Sequence, residues 1–183
     1  IQNIGAYGVE AKDTLQAVET INRDSLMKNT YSNKDCLFGY RNSIFKNQLK
    51  DKRVITHVIF RLSRKNHQYR LDYGNLQKAV SEKGQVNLQN IRDAVIEIRR
   101  SKLPEPDELG NAGSFFKNPV IKKSQWEKLC SSYSDIPSYP MDDERVKIPA
   151  GWLIDQLGWK GYRFGDTGVH SRQALVLVNY KRA

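Results

Sequence analysis

LQNIRDAVIEIRRSKLPEPD, running from Leu88 to Asp107, divides this chain. Leu88, Ile91, Ala94 or Val95 and Ile98 recur at the spacing of one apolar stripe, which predicts a helix from Leu88 to Arg100. Asn87 stands where a side-chain oxygen caps a first turn. Arg99, Arg100 and Lys102 follow at the end where the helix dipole is negative and cations are favoured. Leu103-Pro104-Glu105-Pro106-Asp107 then breaks the period, because proline donates no N–H and restricts the residue before it. This break is the expected domain boundary, with one region up to Leu103 and a second from Pro104 onward.

On the N-terminal side the pattern is mostly β. Leu15–Ile21 and Leu26–Tyr31 read as strands joined by the polar turn Asn22-Arg23-Asp24-Ser25. Val54–Leu62 is the clearest strand. Val54, Val58, Phe60 and Leu62 share one face, and Ile55 and Ile59 make the other partly apolar, which predicts a central position in a sheet. On the C-terminal side, Ser124-Gln125-Trp126-Glu127 has capping-box spacing and predicts a short helix to Tyr133 that buries Trp126, Leu129 and Cys130. Ile136–Asp143 is a loop. Pro149 starts and Gly158 stops a helix over Ala150–Leu157, and Ala174–Val178 is a buried strand. Strands and helices mix without regular alternation, so the expected class is α+β.

Composition narrows the function. The 183 residues are 39% hydrophobic and 27% charged, with nine tyrosines, six phenylalanines and three tryptophans, a globular balance. No apolar run approaches the roughly 18 residues that span a bilayer, and Ile1-Gln2-Asn3-Ile4-Gly5 does not read as a signal peptide. Cys36 and Cys130 form no ligand-spaced pair, and the default setting is reducing and cytoplasmic. The net charge of +10 suits a polyanion, a phosphorylated small molecule or simple solvation, and the basic residues form no long block.

Metal binding is not expected, because His57, His67 and His170 are far apart in sequence. His57 reads as a structural residue of its strand. A Walker-type loop, a dinucleotide fingerprint and a nucleophile elbow are all missing. Four segments remain. Gln2–Glu10 is punctuated by Gly5 and Gly8 and permits close backbone approach, as would an ordinary surface turn. Phe38-Gly39-Tyr40-Arg41-Asn42-Ser43 sets Arg41 to clamp a carboxylate or to lie on the surface. Leu71-Asp72-Tyr73-Gly74 offers a tyrosine hydroxyl just before a glycine, although a packed tyrosine fits this stretch better. Gly110-Asn111-Ala112-Gly113-Ser114-Phe115-Phe116-Lys117-Asn118-Pro119 reads as a bare-backbone turn, either purely structural or presenting Ser114, with apolar packing behind it and Lys117 nearby.

Together these segments resemble the UDP-N-acetylenolpyruvoylglucosamine reductases of bacterial peptidoglycan synthesis, the MurB family. The matching stretches are IQNIGAYGVE (Ile1–Glu10), FGYRNSIFK (Phe38–Lys46), YGNL (Tyr73–Leu76), RRSKLPEP (Arg99–Pro106), GNAGSFFKNP (Gly110–Pro119), AGWLIDQ (Ala150–Gln156) and VHSRQALVLVN (Val169–Asn179). They occur in the family's order over nearly the whole chain. The resemblance implies that residues 1–103 belong to an FAD-binding domain and 104–183 to a substrate-binding domain. It implies Gln2, Ile4 and Gly5 along FAD, Arg41 and Ser114 as catalytic arginine and proton donor, and Tyr73, Lys102 and Asn118 on the uridine diphosphate. NADPH would reduce FAD, and UDP-N-acetylglucosamine enolpyruvate would be the substrate of a cytoplasmic monomer.

The family has further FAD-binding sequence before the position matching Ile1, and a catalytic glutamate beyond the position matching Ala183. The resemblance therefore implies an internal fragment that binds FAD poorly and turns over little alone; normal NADPH oxidation by the chain with FAD and substrate would refute this. The competing expectation is a non-catalytic nucleotide- or RNA-binding module, marked by steeply salt-dependent RNA binding and no response to a UDP-sugar.

Overall fold

The computed structural model describes residues 1–181. Two compact units divide at the Ala94–Val95 bond, within the long helix. Strands and helices are mixed in an α+β arrangement, and every strand pairing is antiparallel.

The first unit opens with a hairpin of β1 (Gly5–Ala6) and β2 (Val9–Glu10). Tyr7 and Gly8 form its two-residue loop at φ 52° and 76°, the left-handed pair that a tight hairpin with right-handed strand twist requires. A three-stranded sheet follows, β3 (Leu15–Asn22) lying between β4 (Lys28–Ser32) and β5 (Arg53–Phe60). The Asn22–Ser25 turn forms as expected. Asn22 Oδ1 accepts from the N–H groups of Asp24 (2.9 Å) and Ser25 (3.2 Å). Leu26 belongs to the connection, at φ 57° and exposed, so β4 begins only at Lys28.

The expected central strand is an edge strand. Register against β3 slips at Thr56, where Glu19 pairs with His57 but Thr20 pairs with Ile55. One extra residue reverses the inside–outside alternation. Ile55 and Val58 consequently both pack on the core of Leu15, Val18 and Cys36, while Val54, Ile59, Phe60 and Leu62 are exposed. Tyr31 and Phe45 close the same core, edge to face at 5.4 Å. Each such aliphatic side chain contributes about 1.5–3 kcal/mol by leaving water. Burial also raises the Cys36 thiol pKa, which makes it an unreactive packing residue, and both cysteines are free.

Helix α1 (Leu76–Ser81), which the sequence pattern does not announce, buries Leu76 and Val80. Helix α2 (Leu88–Lys102) follows the predicted stripe, with Ala94 and Ile98 buried. Asn87 Oδ1 accepts from the Asn90 N–H at 2.8 Å, the expected cap.

In the second unit, β6 (Gly110–Ser114) is the edge of a four-stranded sheet ordered β10 (Arg163–Phe164), β11 (Thr167–Val169), β12 (Val176–Asn179), β6. A smaller sheet comprises β7 (Val120–Lys122), β8 (Tyr139–Pro140) and β9 (Arg145–Lys147), with β9 in the middle. Helix α3 (Lys123–Cys130) starts and ends earlier than expected. Gln125 Oε1 accepts from the Lys122 N–H at 3.2 Å, so the cap lies at Lys122. Leu129 is exposed, and Trp126 and Cys130 are only half-buried. Helix α4 (Ala150–Gln156) starts after Pro149 and ends before Gly158 at φ 72°, while Ala174, Val176 and Val178 are buried, as their pattern predicts.

Candidate active site

In the first unit, buried Asn3 ties the N-terminal segment to the arginine turn. Its Nδ2 donates to Glu10 Oε2 at 3.0 Å and to the Gly39 carbonyl at 3.2 Å, and its Oδ1 accepts from the Lys12 N–H at 3.0 Å. Ser43 Oγ donates to the Ile1 carbonyl at 2.5 Å, and Lys46 Nζ donates to Gln2 Oε1 at 2.9 Å. Lys12, first, and then Asn3 stabilise the charged form of Glu10 and hold its pKa below the ordinary glutamate value against partial burial.

Arg41 sits in a turn closed from both ends. The Asn42 N–H donates to the Gly39 carbonyl and the Gly39 N–H to the Asn42 carbonyl, each at 3.2 Å. At φ 51° Arg41 occupies the left-handed region, which costs a residue with a Cβ roughly 1–2 kcal/mol. Such strain persists where surrounding contacts over-determine it, and it concentrates at functional sites. Arg41 Nη2 reaches the Gly5 carbonyl at 3.4 Å. The predicted residues Gln2, Gly5 and Arg41 are thus linked by hydrogen bonds, and Ile4 lies between them in sequence with its side chain exposed.

Tyr73 comes to the same hairpin. Its ring meets Tyr7 at 5.6 Å, edge to face. Arg70 Nη1 donates to the Gly8 carbonyl and to Asp13 Oδ2, both at 3.0 Å. These contacts bring residues 70–73 onto the hairpin loop.

In the second unit, the bare-backbone turn is a bulged strand end. Ser114 pairs with Val176 but Asn111 pairs with Val178, so β6 carries one more residue than β12 across this step. Gly113 at φ 61° absorbs it, its N–H donating to Asn111 Oδ1 at 3.0 Å. The expected turn is a strand end, and what Gly113 supplies is a positive φ rather than close backbone approach, since no neighbouring side chain or strand lies within 4 Å of where a Cβ would stand. Phe115 and Phe116 are exposed and meet edge to face at 5.1 Å, so these rings do not form the apolar packing expected behind the serine. Ser114 is exposed at a cleft of about 500 Å³ that Arg99, Arg100, Leu103, Pro104 and Asn111 also line.

Lys102 is exposed three residues after Arg99, on the same side of α2. Asn118 is half-buried, and its Oδ1 accepts from the Ala150 N–H at 2.9 Å, satisfying a donor at the start of α4. The sequence pattern gives Arg99 and Arg100 as a basic helix end but does not mark Asn3. Nothing local signalled that Asn3 bonds a carbonyl 36 residues away.

Residues 105–183 match the family model for the C-terminal domain of UDP-N-acetylenolpyruvoylglucosamine reductase. The reductase of that name from Flavobacterium johnsoniae is 49% identical over 185 residues, covering 100% of this chain and 55% of the relative. The Pasteurella multocida reductase is 54% identical over 183 residues, covering 100% and 53%. The chain belongs to the UDP-N-acetylenolpyruvoylglucosamine reductase family. It spans about half the length of the curated relatives it matches. The crystal structure of the Thermus caldophilus reductase superimposes with a TM-score of 0.59 at 23% identity, covering 100% of this chain and 48% of the other, a likeness of fold. Among the described residues, no helix is long and apolar enough to cross a membrane, and no group of histidine, cysteine, aspartate or glutamate is arranged to hold a metal.

Proposed function

We propose that this chain carries part of the active site of an NADPH- and FAD-dependent oxidoreductase that converts UDP-N-acetylglucosamine enolpyruvate to UDP-N-acetylmuramate in cell-wall synthesis. Residues up to Leu103 would serve FAD and those from Pro104 onward the substrate. The observation that carries the reading is Ser114, an exposed hydroxyl on a glycine bulge, at a cleft that Arg99 and Arg100 also line. Identity near 50% with reductases of this name supports the substrate.

The residues at the start of the chain fit a flavin. Exposed Ile4 gives an apolar surface suited to a flat ring, while the missing Cβ of neighbouring Gly5 makes room for the Glu10 side chain, which lies 2.9 Å from where that Cβ would stand. When bound and reduced by NADPH, FAD supplies the hydride to C3 of the enolpyruvyl group. Arg41 neutralises the enolate charge that develops beside the substrate carboxylate, a preorganised electrostatic contribution. Ser114 donates its hydroxyl proton to C2, giving the lactyl ether. Serine is a weak acid, so it is matched to a strongly basic carbanion. Tyr73, Lys102 and Asn118 hold the uridine diphosphate, Lys102 as a cation beside the arginines of α2. The reaction would take place in the cytoplasm.

The test is Ser114→Ala in the full-length protein. Flavin reduction by NADPH should continue nearly unchanged, while product formation falls by about 10²–10⁴. Survival of both half-reactions would remove Ser114 as the proton donor.

A further inference from the structure

We propose that Asn3 is a positioning residue that fixes the direction in which Arg41 presents its guanidinium. The proposal rests on the catalytic reading of Arg41 given above. Asn3 is 2% exposed, so it reaches a ligand only through its neighbours. Both sides of its carboxamide are engaged, with Nδ2 donating to Glu10 Oε2 and the Gly39 carbonyl and Oδ1 accepting from the Lys12 N–H. The Gly39 carbonyl also accepts the Asn42 N–H that closes the turn around Arg41.

A left-handed arginine inside a four-residue turn does not hold its backbone unaided. The links that bind the turn region to the first five residues include Asn3 to Gly39, Ser43 to Ile1, Arg41 itself to Gly5, and Lys46, which bridges the Arg41 carbonyl and Gln2. Of these, Asn3 alone grips the carbonyl on which the turn closes. It also anchors that grip in an ionised glutamate, because Glu10 is held in its charged form by Lys12 and Asn3. Loss of the carboxamide releases Gly39 and lets the turn relax, which moves the guanidinium away from the charge it must meet. Sub-ångström placement of such a group governs its catalytic effect.

A double-mutant cycle in the full-length protein tests this, with Asn3→Ala, Arg41→Lys and the double variant assayed for flavin content, flavin reduction by NADPH, and kcat and KM for product formation. Asn3→Ala is expected to keep its flavin and its NADPH half-reaction and to lose about tenfold in kcat with little change in KM. In the Arg41→Lys background the same substitution should change kcat less than about twofold, because its effect acts through the arginine. Effects that multiply in the double variant overturn the proposal while leaving the reading of Arg41 intact. An Arg41→Lys variant with normal turnover overturns that reading, and the proposal with it. If Asn3→Ala does not fold, Asn3→Ser, which keeps a hydroxyl donor, takes its place in the cycle with the same expected non-additivity.

Discussion

Replacing Gly113 by alanine separates backbone conformation from space at the strand end that presents Ser114. No heavy atom lies within 4 Å of where the new Cβ would stand, so the substitution meets no steric obstacle. Its φ of +61° is another matter, since an L-residue with a Cβ loses roughly 1–2 kcal/mol there. The bulged pairing of Ser114 with Val176 and the 2.9 Å bond from the Phe115 N–H to the Leu175 carbonyl must hold against that strain. If the strain falls on local opening of this strand end, the open population rises about five- to thirty-fold. Hydrogen exchange of the Phe115 amide measures this directly and should accelerate by the same factor. Gly113→Asn should accelerate it less, because asparagine tolerates the left-handed region better. Unchanged exchange in the alanine variant, or an equal effect of asparagine, would refute the claim that conformation is what requires glycine.

Substitutions at two further positions probe the second unit. Asn118→Asp keeps an acceptor for the Ala150 N–H and should lower the thermal midpoint less than Asn118→Ala, which loses that acceptor at a cost of about 1 kcal/mol. If Asn118 also holds substrate through its amide donor, both variants should raise KM, and a normal KM in Asn118→Asp would exclude that role. At His170, burial first and then Arg172 hold the imidazole pKa below its ordinary value. The unfolded chain takes up a proton near pH 6.5 that the folded one resists, so stability is full above that pH and declines as pH falls below it. His170→Gln should flatten the fall in thermal midpoint between pH 7 and 5, and an unaltered slope would count against the assignment.

Much of the molecule was legible where the signal is local. The α2 stripe with its Asn87 cap, the Asn22–Ser25 turn and the Pro149–Gly158 helix all formed, because each depends on residues within one or two turns of chain. The reading of β5 failed for an equally definite reason. Alternation predicts which residues share a face only while the register is unbroken, and the bulge at Thr56 is set by pairing with β3. The same limit applies at Gly110–Pro119. Its glycines announce special backbone angles, but whether these make a turn or a bulged strand is decided by β12, more than 60 residues later.

By itself the sequence determined the α+β class, the family and a short set of polar residues, because composition, helical period and ordered motifs are properties of the chain read in one dimension. Tertiary structure alone decided that β5 is an edge strand and that Asn3 grips the turn of Arg41. It also put Ser114 at the edge of a cleft with two arginines, and set Asn118 against the start of a helix. Hydrogen bonds and burial are contacts between residues distant in sequence, and only the folded backbone brings those residues within reach of one another.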